Sequence, residues 1–320
     1  MSFNSFSAKQ STVEREIVMT GIGVHSGSPV SLIIHPAEAN TGYNFYVQGN
    51  GNTGHVPGDF RAVSNVMLCT VLSGANGAAV ATVEHLLAAL RGLGVDNADI
   101  EIDSPEIPIM DGSAEPFVDA IEEAGLRELD DPRRFIKVLR PVKVQDGDAY
   151  GEIFPYNGFR LDIEIDFKSP LIGRQRFDVE VTPRSFKSKL CRARTFGFMK
   201  DVKQLWAAGR ALGSSLENTV ALGDDRILNP EGLRFSDEFV RHKTLDAVGD
   251  LALAGAPILG YYRSSKGGHR LNSAMLHALY ANKDAWTIVE HNERPHVHDI
   301  SPRADFGMAF ATPNFAPEVA

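Results

Sequence analysis

The pattern of apolar and polar positions predicts one long, largely buried helix over residues 237–254. Its apolar side chains recur at helical spacing: Val240, Leu245, Val248, Leu251 and Leu253. In the same stretch, His242, Asp246 and Asp250 follow one another at intervals of four residues. Because residues four apart lie on one face of a helix, the imidazole and the first carboxylate can reach one metal ion. An ordinary structural pair explains the same spacing, so this stretch alone leaves both interpretations open.

The same periodicity predicts four further helices, separated by strand-like runs and by turns rich in glycine and proline. These helices cover residues 81–94, 115–124, 202–208 and 273–282. In the first of them, Thr82 is expected to cap the N-terminus, and Gly92 and Gly94 are expected to end the helix. The first strand is predicted over residues 12–19.

A glycine-rich turn, GIGVHSG, occupies residues 21–27. Similar glycine spacing occurs in dinucleotide-binding folds, but in those folds a helix follows the turn. Here the next run, SPVSLIIHP, has the pattern of another strand. We therefore predict a hairpin turn, in which His25 has a structural role.

The sequence indicates two related halves. Residues 126–134 form a charged joint that contains proline, so we predict a first unit over 1–129 and a second over 130–320. Each half has a Val-X-His triplet at the start of a helix, ending at His85 and His242, with Gly92 and Gly249 seven residues later. A duplicated unit would bring His85 of the first half close to His242 and Asp246 of the second.

Together, His85, His242 and Asp246 would match the pattern of a catalytic zinc site, which has three nitrogen or oxygen ligands and an open fourth position. No HExxH motif is present, so spacing alone leaves a metal hydrolase as one interpretation among several.

Four other polar residues are candidates for catalysis beside such a site. Glu84 precedes a candidate ligand and could accept a proton from an attacking water molecule. His269 could act as a second proton carrier, Asp250 could keep a histidine cationic, and Thr195 could donate a hydrogen bond to an oxyanion. Each also has a structural interpretation: Glu84 as a charge at a helix N-terminus, His269 as a turn residue and Thr195 as a strand residue.

Composition narrows the class of protein. The net charge of −9 argues against nucleic acid as a general partner. The two cysteines, Cys69 and Cys191, are far apart and form no CxxC pair, which fits reduced thiols in a cytoplasmic protein. We expect no secretory signal and no membrane span, because no apolar run of suitable length occurs.

Several long motifs resemble the UDP-3-O-acyl-N-acetylglucosamine deacetylase family of lipid A biosynthesis. The resemblance extends over residues 12–300. The motifs that carry it are GIGVHSG (21–27), MLCT (67–70), TVEHLLAAL (82–90), PEIPIMDGSAEPF (105–117), CRARTFGFM (191–199), LRFSDEFVRHKTLDAVGDL (233–251) and KGGH (266–269).

The resemblance implies a zinc amidase of the Gram-negative cytoplasm, which releases acetate from a UDP-linked, 3-O-acylated N-acetylglucosamine. By motif matching, the zinc ligands are His85, His242 and Asp246. The other implied roles are Glu84 as the base, His269 as the cationic histidine, Asp250 as its carboxylate partner, Thr195 as the oxyanion donor and Lys243 as a substrate contact. Iron(II) can occupy such a site as well.

The implied fold class is α+β: two similar units, each a sheet with two helices and one insert, with the helices packed between the two sheets. The insert of the second unit, at residues 210–221, would form an apolar passage for the acyl chain. The substrate-binding residues implied here are Met67, Phe167, Phe196, Phe198, Leu212, Gly213, Ser214, Ser215 and Leu216. The chain departs from some relatives at Ala149, where they carry lysine, and in the detail of the passage sequence.

The alternative from another class is a non-enzymatic UDP-sugar or acyl-lipid binding protein on the same fold. Binding alone does not require Glu84, His85, His242, Asp246 and His269 together, so the sequence favours the enzyme. We expect a small-molecule substrate, no nucleic acid, no stable membrane insertion and a monomer.

Overall fold

The computed structural model describes residues 7–49 and 52–290, which form six α-helices and nineteen β-strands in an α+β arrangement. The helices are α1 Glu84–Leu93, α2 Glu115–Ala124, α3 Pro183–Lys189, α4 Met199–Ala207, α5 Glu238–Ala252 and α6 His269–Ala281. The strands are β1 Lys9–Val13, β2 Ile17–Ile22, β3 Pro29–Pro36, β4 Tyr43–Gly49, β5 Asn52–Pro57, β6 Val63–Asn65, β7 Val71–Ser73, β8 Ala79–Ala81, β9 Ala98–Ile102, β10 Leu126–Pro132, β11 Arg134–Val138, β12 Val142–Asp146, β13 Ala149–Pro155, β14 Phe159–Asp166, β15 Arg174–Glu180, β16 Phe196–Phe198, β17 Val220–Leu222, β18 Ile258–Ser265 and β19 Trp286–Glu290. Throughout this described part of the chain, every helix is too short or too polar to cross a bilayer.

Two mixed sheets dominate the fold. The first half of the chain forms a five-stranded sheet in the order β2-β3-β9-β4-β5, in which only β4 and β9 run parallel. The second half forms a seven-stranded sheet with the path β12-β13-β18-β11-β19, and β14 joins it beside β18 and carries β15. Strands β6 to β8 form a small separate sheet, and β16 pairs in parallel with β17.

The helices pack on these sheets and on each other. Helix α2 contacts β2, α5 lies on β14 and β15, and α6 lies on β12 and β13. Helices α1 and α5, one from each half, pack directly together. The division of the chain into two units, with the boundary between residues 129 and 130, stays a prediction.

Gly249 allows the close approach of α1 and α5. A Cβ atom at this position would lie 1.9 Å from the backbone oxygen of Glu84, a distance that no side chain could occupy. Gly92, its predicted counterpart, similarly makes room for the ring of Phe186 on α3. The paired glycines found in the sequence therefore mark two points of close packing, and one of them sets Glu84 against α5.

Several predicted elements differ from the observed ones. The strand expected at 12–19 is two strands, β1 and β2. The joint expected at 126–134 contains strand β10, which pairs antiparallel with β1. Helix α3 was not predicted, although Thr182 and Ser185 form a capping box at its start.

The N-cap prediction for α1 was wrong. The N-cap residue is Val83, and Thr82 adopts a positive φ of 59°. No side-chain oxygen accepts a capping hydrogen bond from the start of α1, and the Thr82 hydroxyl donates to Glu106 Oε1 at 3.1 Å. The capping signal failed because this hydroxyl bonds to a carboxylate 24 positions away and not to a backbone N–H of the helix.

Candidate active site

Three buried side chains from α1 and α5 converge on one point. His85 Nε2 lies 3.6 Å from Asp246 Oδ1, and His242 Nε2 lies 3.3 Å from the same oxygen. The imidazole rings are nearly perpendicular, with centroids 4.9 Å apart. The predicted neighbours from the two halves are thus brought together, and one ligand atom from each lies within 4.8 Å of the others.

The protonation and the hydrogen bonds of His242 and Asp246 are those expected of metal ligands. His242 Nδ1–H donates to the backbone oxygen of Ala193 at 3.0 Å, which leaves the Nε2 lone pair facing the cluster. Burial lowers the pKa of His242 to about 3, so the ring is neutral, as a ligand must be. Asp246 Oδ1 is buried and makes no hydrogen bond within the part of the chain that the structure describes. A buried carboxylate oxygen without a donor is an expected feature of a site that binds a cation.

Lys243 neutralises the other oxygen of the same carboxylate. Its Nζ donates to Asp246 Oδ2 at 2.6 Å. Burial acts to raise the pKa of Asp246, but His242 and Lys243 outweigh it and hold that pKa well below its usual range. Asp246 is therefore ionised at neutral pH.

A buried ion pair holds the segment that supports His242. The backbone N–H and Nε of Arg194 donate to Glu238 Oε1 at 3.0 and 2.9 Å, and Glu238 is fully enclosed. Arg194 also donates to Glu231 and to the backbone oxygen of Gly232. The pair thereby fixes the backbone next to Ala193, the acceptor of the His242 ring.

Glu84 lies in the first turn of α1 with its carboxylate facing the cluster. One oxygen accepts the backbone N–H of Thr70 at 3.1 Å, and the other lies 4.0 Å from His269 Nε2. Burial raises the pKa of Glu84, although the nearby histidines act in the opposite direction. A carboxylate with a raised pKa is suited to accept and release a proton.

His269 and Asp250 form a directly bonded pair. His269 Nδ1 donates to Asp250 Oδ2 at 2.8 Å. Burial acts to lower the pKa of His269, but Asp250 outweighs it and raises that pKa to about 9. His269 is therefore cationic at neutral pH. It is the first residue of α6, so the helix begins four residues before the predicted start at 273.

Two polar residues that sequence reasoning missed complete this network. The Thr70 hydroxyl donates to Asp250 Oδ1 at 2.6 Å, and the Asn272 amide donates to Asp250 Oδ2 at 2.8 Å. Thr70 and Asp250 are 180 positions apart, so no local pattern could have linked them. Asn272 did carry a local signal, because it lies one helical turn after His269.

Thr195 lies at the edge of the cluster, just before β16. Its backbone N–H donates to Gly112, and its backbone oxygen accepts from Val220, both at 2.8 Å. These bonds fix the position of Thr195 in the wall of the groove described next.

A groove of about 920 Å³ leads away from the cluster and is lined mainly by apolar side chains. Its lining includes most of the predicted substrate-binding residues: Met67, Phe167, Phe196, Phe198, Ser214, Ser215, Leu216 and Lys243. Leu212 and Gly213 are not part of the lining. Their backbone N–H groups donate to the backbone oxygens of His25 and Val24, which joins the insert to the glycine-rich turn.

Helix α4 supplies a wall of the groove that sequence reasoning did not identify. Met199, Val202, Leu205 and Trp206 line the groove, and no residue of this helix is buried. The signal was present, because these apolar residues recur at helical spacing along a helix in which no residue is buried. Exposed apolar side chains in this arrangement indicate a surface that receives an apolar ligand.

Comparison with known proteins agrees with this geometry. The sequence model of the family described as UDP-3-O-acyl N-acetylglycosamine deacetylase matches residues 10–281. Proteins named UDP-3-O-acyl-N-acetylglucosamine deacetylase from Brucella ovis, Brucella abortus and Brucella melitensis are each 49% identical over 284 residues. The aligned region covers 88% of this chain and 99% of each relative. The chain therefore belongs to the UDP-3-O-acyl-N-acetylglucosamine deacetylase family.

Proposed function

We propose that this chain hydrolyses the acetamide of UDP-3-O-(3-hydroxyacyl)-N-acetylglucosamine, releasing acetate in the committed step of lipid A biosynthesis. The observation that carries the proposal is the convergence of His85, His242 and Asp246 beside Glu84 and His269, at one end of an apolar groove. Family membership supports the same reaction.

The family is metal-dependent, and the three converging side chains are the ones that would hold the ion. We propose zinc, because two imidazoles and one carboxylate form a typical catalytic zinc set; iron(II) is the competing ion. Bound there, the ion would supply Lewis acidity and lower the pKa of a water molecule.

Glu84 is the proposed general base. Its carboxylate faces the cluster and is held by the Thr70 N–H, so it can accept one proton from the attacking water. The water oxygen then forms the new bond to the acetamide carbon. The raised pKa of Glu84 favours holding this proton until the C–N bond breaks.

His269 and Thr195 are proposed to act on the charge that develops on the acetamide. Cationic His269 would stabilise the oxyanion electrostatically, and the Thr195 hydroxyl would donate a hydrogen bond to it. His269 Nε2 then donates its proton to the leaving amine as the C–N bond breaks. Asp250 holds the opposite ring nitrogen, so Nε2 is the nitrogen that faces the substrate.

The groove is proposed to bind the acyl chain. Each buried methylene contributes about 0.8 kcal/mol, so a long chain gains substantial affinity from the walls formed by α4 and the insert. Phe167 and Phe198, which also line a smaller neighbouring pocket with Lys200, are proposed contacts for the nucleotide end. Lys243 is proposed to contact the substrate near the reacting amide.

We place the enzyme in the cytoplasm and propose that it acts as a monomer on a small-molecule substrate. The two cysteines support a reducing compartment, because both are buried and free.

The proposal is tested by measuring acetate release from the UDP-linked substrate, with and without a zinc chelator. We expect the chelator to abolish release and added zinc to restore it. Binding of the substrate by metal-loaded protein without any release would instead support a non-enzymatic binding protein.

A further inference from the structure

A second cavity lies at the end of α1 that is distant from His85. Its volume is about 450 Å³, and both halves of the sequence contribute to its walls. Arg91, Asp96 and Phe60 come from the first half, and Arg134 and Tyr280 come from the second. Arg91 follows His85 by six residues, which is about 9 Å along the helix axis. The cavity is therefore separate from the proposed active site.

Arg91 is a buried charge whose hydrogen bonds are incomplete. Its relative exposure is 6%, and its Nε and Nη1 atoms are enclosed with no hydrogen-bond partner among residues 7–49 and 52–290. Asp96 Oδ1 lies 3.7 Å from Nη1, close enough for Coulomb attraction but too far for a hydrogen bond. The face of the Tyr43 ring lies 5.4 Å from the guanidinium carbon. A buried guanidinium in this state destabilises the folded protein unless a nearby anion balances its charge.

The two carboxylates that line the cavity already have other arginine partners. Asp96 Oδ2 accepts from Arg133 Nε at 2.8 Å and from the Ser11 backbone N–H at 2.9 Å. Asp59 accepts two hydrogen bonds from Arg61, at 2.8 and 2.7 Å. Asp96 Oδ1, which faces Arg91, makes no hydrogen bond within the described residues, so the single charge of Asp96 is shared between Arg91 and Arg133. The positive charge of Arg91 is thus only partly balanced.

Arg134 adds a second positive charge at the mouth of the cavity. Among the described residues, its side chain donates one hydrogen bond, to the neutral Asn40 amide oxygen at 3.4 Å, and forms no salt bridge. The rest of the wall is largely apolar, and the rings of Phe60 and Tyr280 stack with centroids 4.6 Å apart. The cavity therefore combines three arginines, of which Arg61 is paired with Asp59, with a largely apolar surface.

We propose that this cavity binds a small organic oxyanion, a phosphate or a carboxylate, through the guanidinium groups of Arg91 and Arg134. A guanidinium binds either group through charge-assisted hydrogen bonds, and the anion would balance the positive charge that Asp96, which also pairs with Arg133, leaves unbalanced on Arg91. The volume lies within the usual range of ligand pockets, so the ligand has room for a body beyond its charged group. Because Arg91 and Arg134 come from different halves, the bound anion links the two halves at the end opposite the metal cluster.

The test is thermal unfolding of the full, metal-loaded chain in increasing inorganic phosphate or acetate, with chloride added to keep the ionic strength constant. A ligand that binds only the folded state raises the unfolding midpoint in a saturable way. We expect a saturating rise of roughly 2 °C or more with at least one probe. The probe that acts at lower concentration identifies the phosphate or the carboxylate as the preferred group.

Two arginine variants assign the effect to the cavity. Arg91→Met should lose the anion-dependent rise, whereas Arg174→Met, which removes an exposed arginine paired with Glu164, should keep it. In chloride alone, Arg91→Met should be at least as stable as wild type, because an incompletely paired buried charge has been removed. A marked loss of stability in chloride would show that Arg91 is a structural partner of Asp96 and would overturn the proposal.

Arg134→Met provides a test that does not depend on the core, because this side chain is exposed. We expect the half-saturating anion concentration to rise several-fold in this variant. An equal response of wild type and both cavity variants, or no response of wild type to either probe, would rule out the site.

Discussion

Two clusters of buried charge lie close together in this protein, and they differ in whether hydrogen bonds within the protein satisfy their charged groups. In the first, Arg194 makes hydrogen bonds to Glu238, Glu231 and Gly232. In the second, His85, His242 and Asp246 converge, yet Asp246 Oδ1 is enclosed and accepts no hydrogen bond from any described residue. Arg194 and Glu238 are as inaccessible to solvent as the three converging side chains, so burial does not distinguish the clusters.

The difference separates a structural cluster from a functional one. A buried ion pair is tolerated when hydrogen bonds complete both partners, and it then fixes the local backbone. Here the Arg194 pair fixes the segment whose Ala193 oxygen orients His242. In the second cluster, the lone pairs of His85, His242 and Asp246 converge on a point where a metal ion would bind. The hydrogen-bonded Arg194–Glu238 pair thus helps to position the cluster that would bind the metal ion.

The largest effect, a loss of stability, should come from breaking the Arg194–Glu238 pair. Glu238→Ala leaves the Arg194 guanidinium buried without its main partner, so we expect a loss of about 3–5 kcal/mol in the free energy of unfolding. Denaturant unfolding measures it. The matched control is Glu231→Ala, which removes the half-exposed partner of the same arginine and should cost no more than about 1 kcal/mol. Equal losses in the two variants would contradict the distinction drawn between the clusters.

The next largest effect should come from the proposed base. Glu84→Ala should lower turnover at least about a hundredfold while the metal stays bound, because Glu84 accepts a proton but is not a ligand. Steady-state acetate release and elemental analysis of the same preparation measure both quantities. Glu84→Gln keeps the shape and an acceptor for the Thr70 N–H, and it should lose as much. Near-normal turnover in either variant would remove Glu84 as the base.

A smaller effect is expected from His269, and it should depend on pH. The charged groups around this ring are Asp250 at 2.8 Å, Glu84 at 4.0 Å and, opposing them, Lys243. The raised pKa of about 9 keeps the ring protonated at neutral pH, so its contribution is present below pH 9 and lost as pH rises through it. His269→Gln should therefore lower the neutral rate about tenfold or more and remove the alkaline fall. An unchanged alkaline limb in the pH profile of kcat would argue against this role.

Much of the fold and the core of the site could be predicted because their signals are local or repeated. Helix α5 was predicted at 237–254 and is observed at Glu238–Ala252, and the interval of four residues placed His242 beside Asp246. The paired His and Gly positions of the two halves then predicted that His85 would join them. The structure confirms that α1 and α5 pack together, with Gly249 at the closest approach.

The remainder could not be predicted because it depends on contacts between distant residues. Thr70 bonds to both Glu84 and Asp250, which no sequence period connects. Thr82 has the usual features of an N-cap but turns to Glu106. The apolar residues of α4 followed a readable pattern, but only the groove shows that they face a ligand-sized space.

The assignment of His85, His242 and Asp246 as metal ligands is best tested by the zinc content of wild type and of Asp246→Asn after identical zinc loading and dialysis. We expect one zinc ion per wild-type chain and a large loss in the variant, because the substitution removes the ionised oxygen on which both histidines converge. Circular dichroism should show the variant still folded. Equal zinc in the two folded proteins would contradict the assignment, because the ion would then be held by other residues.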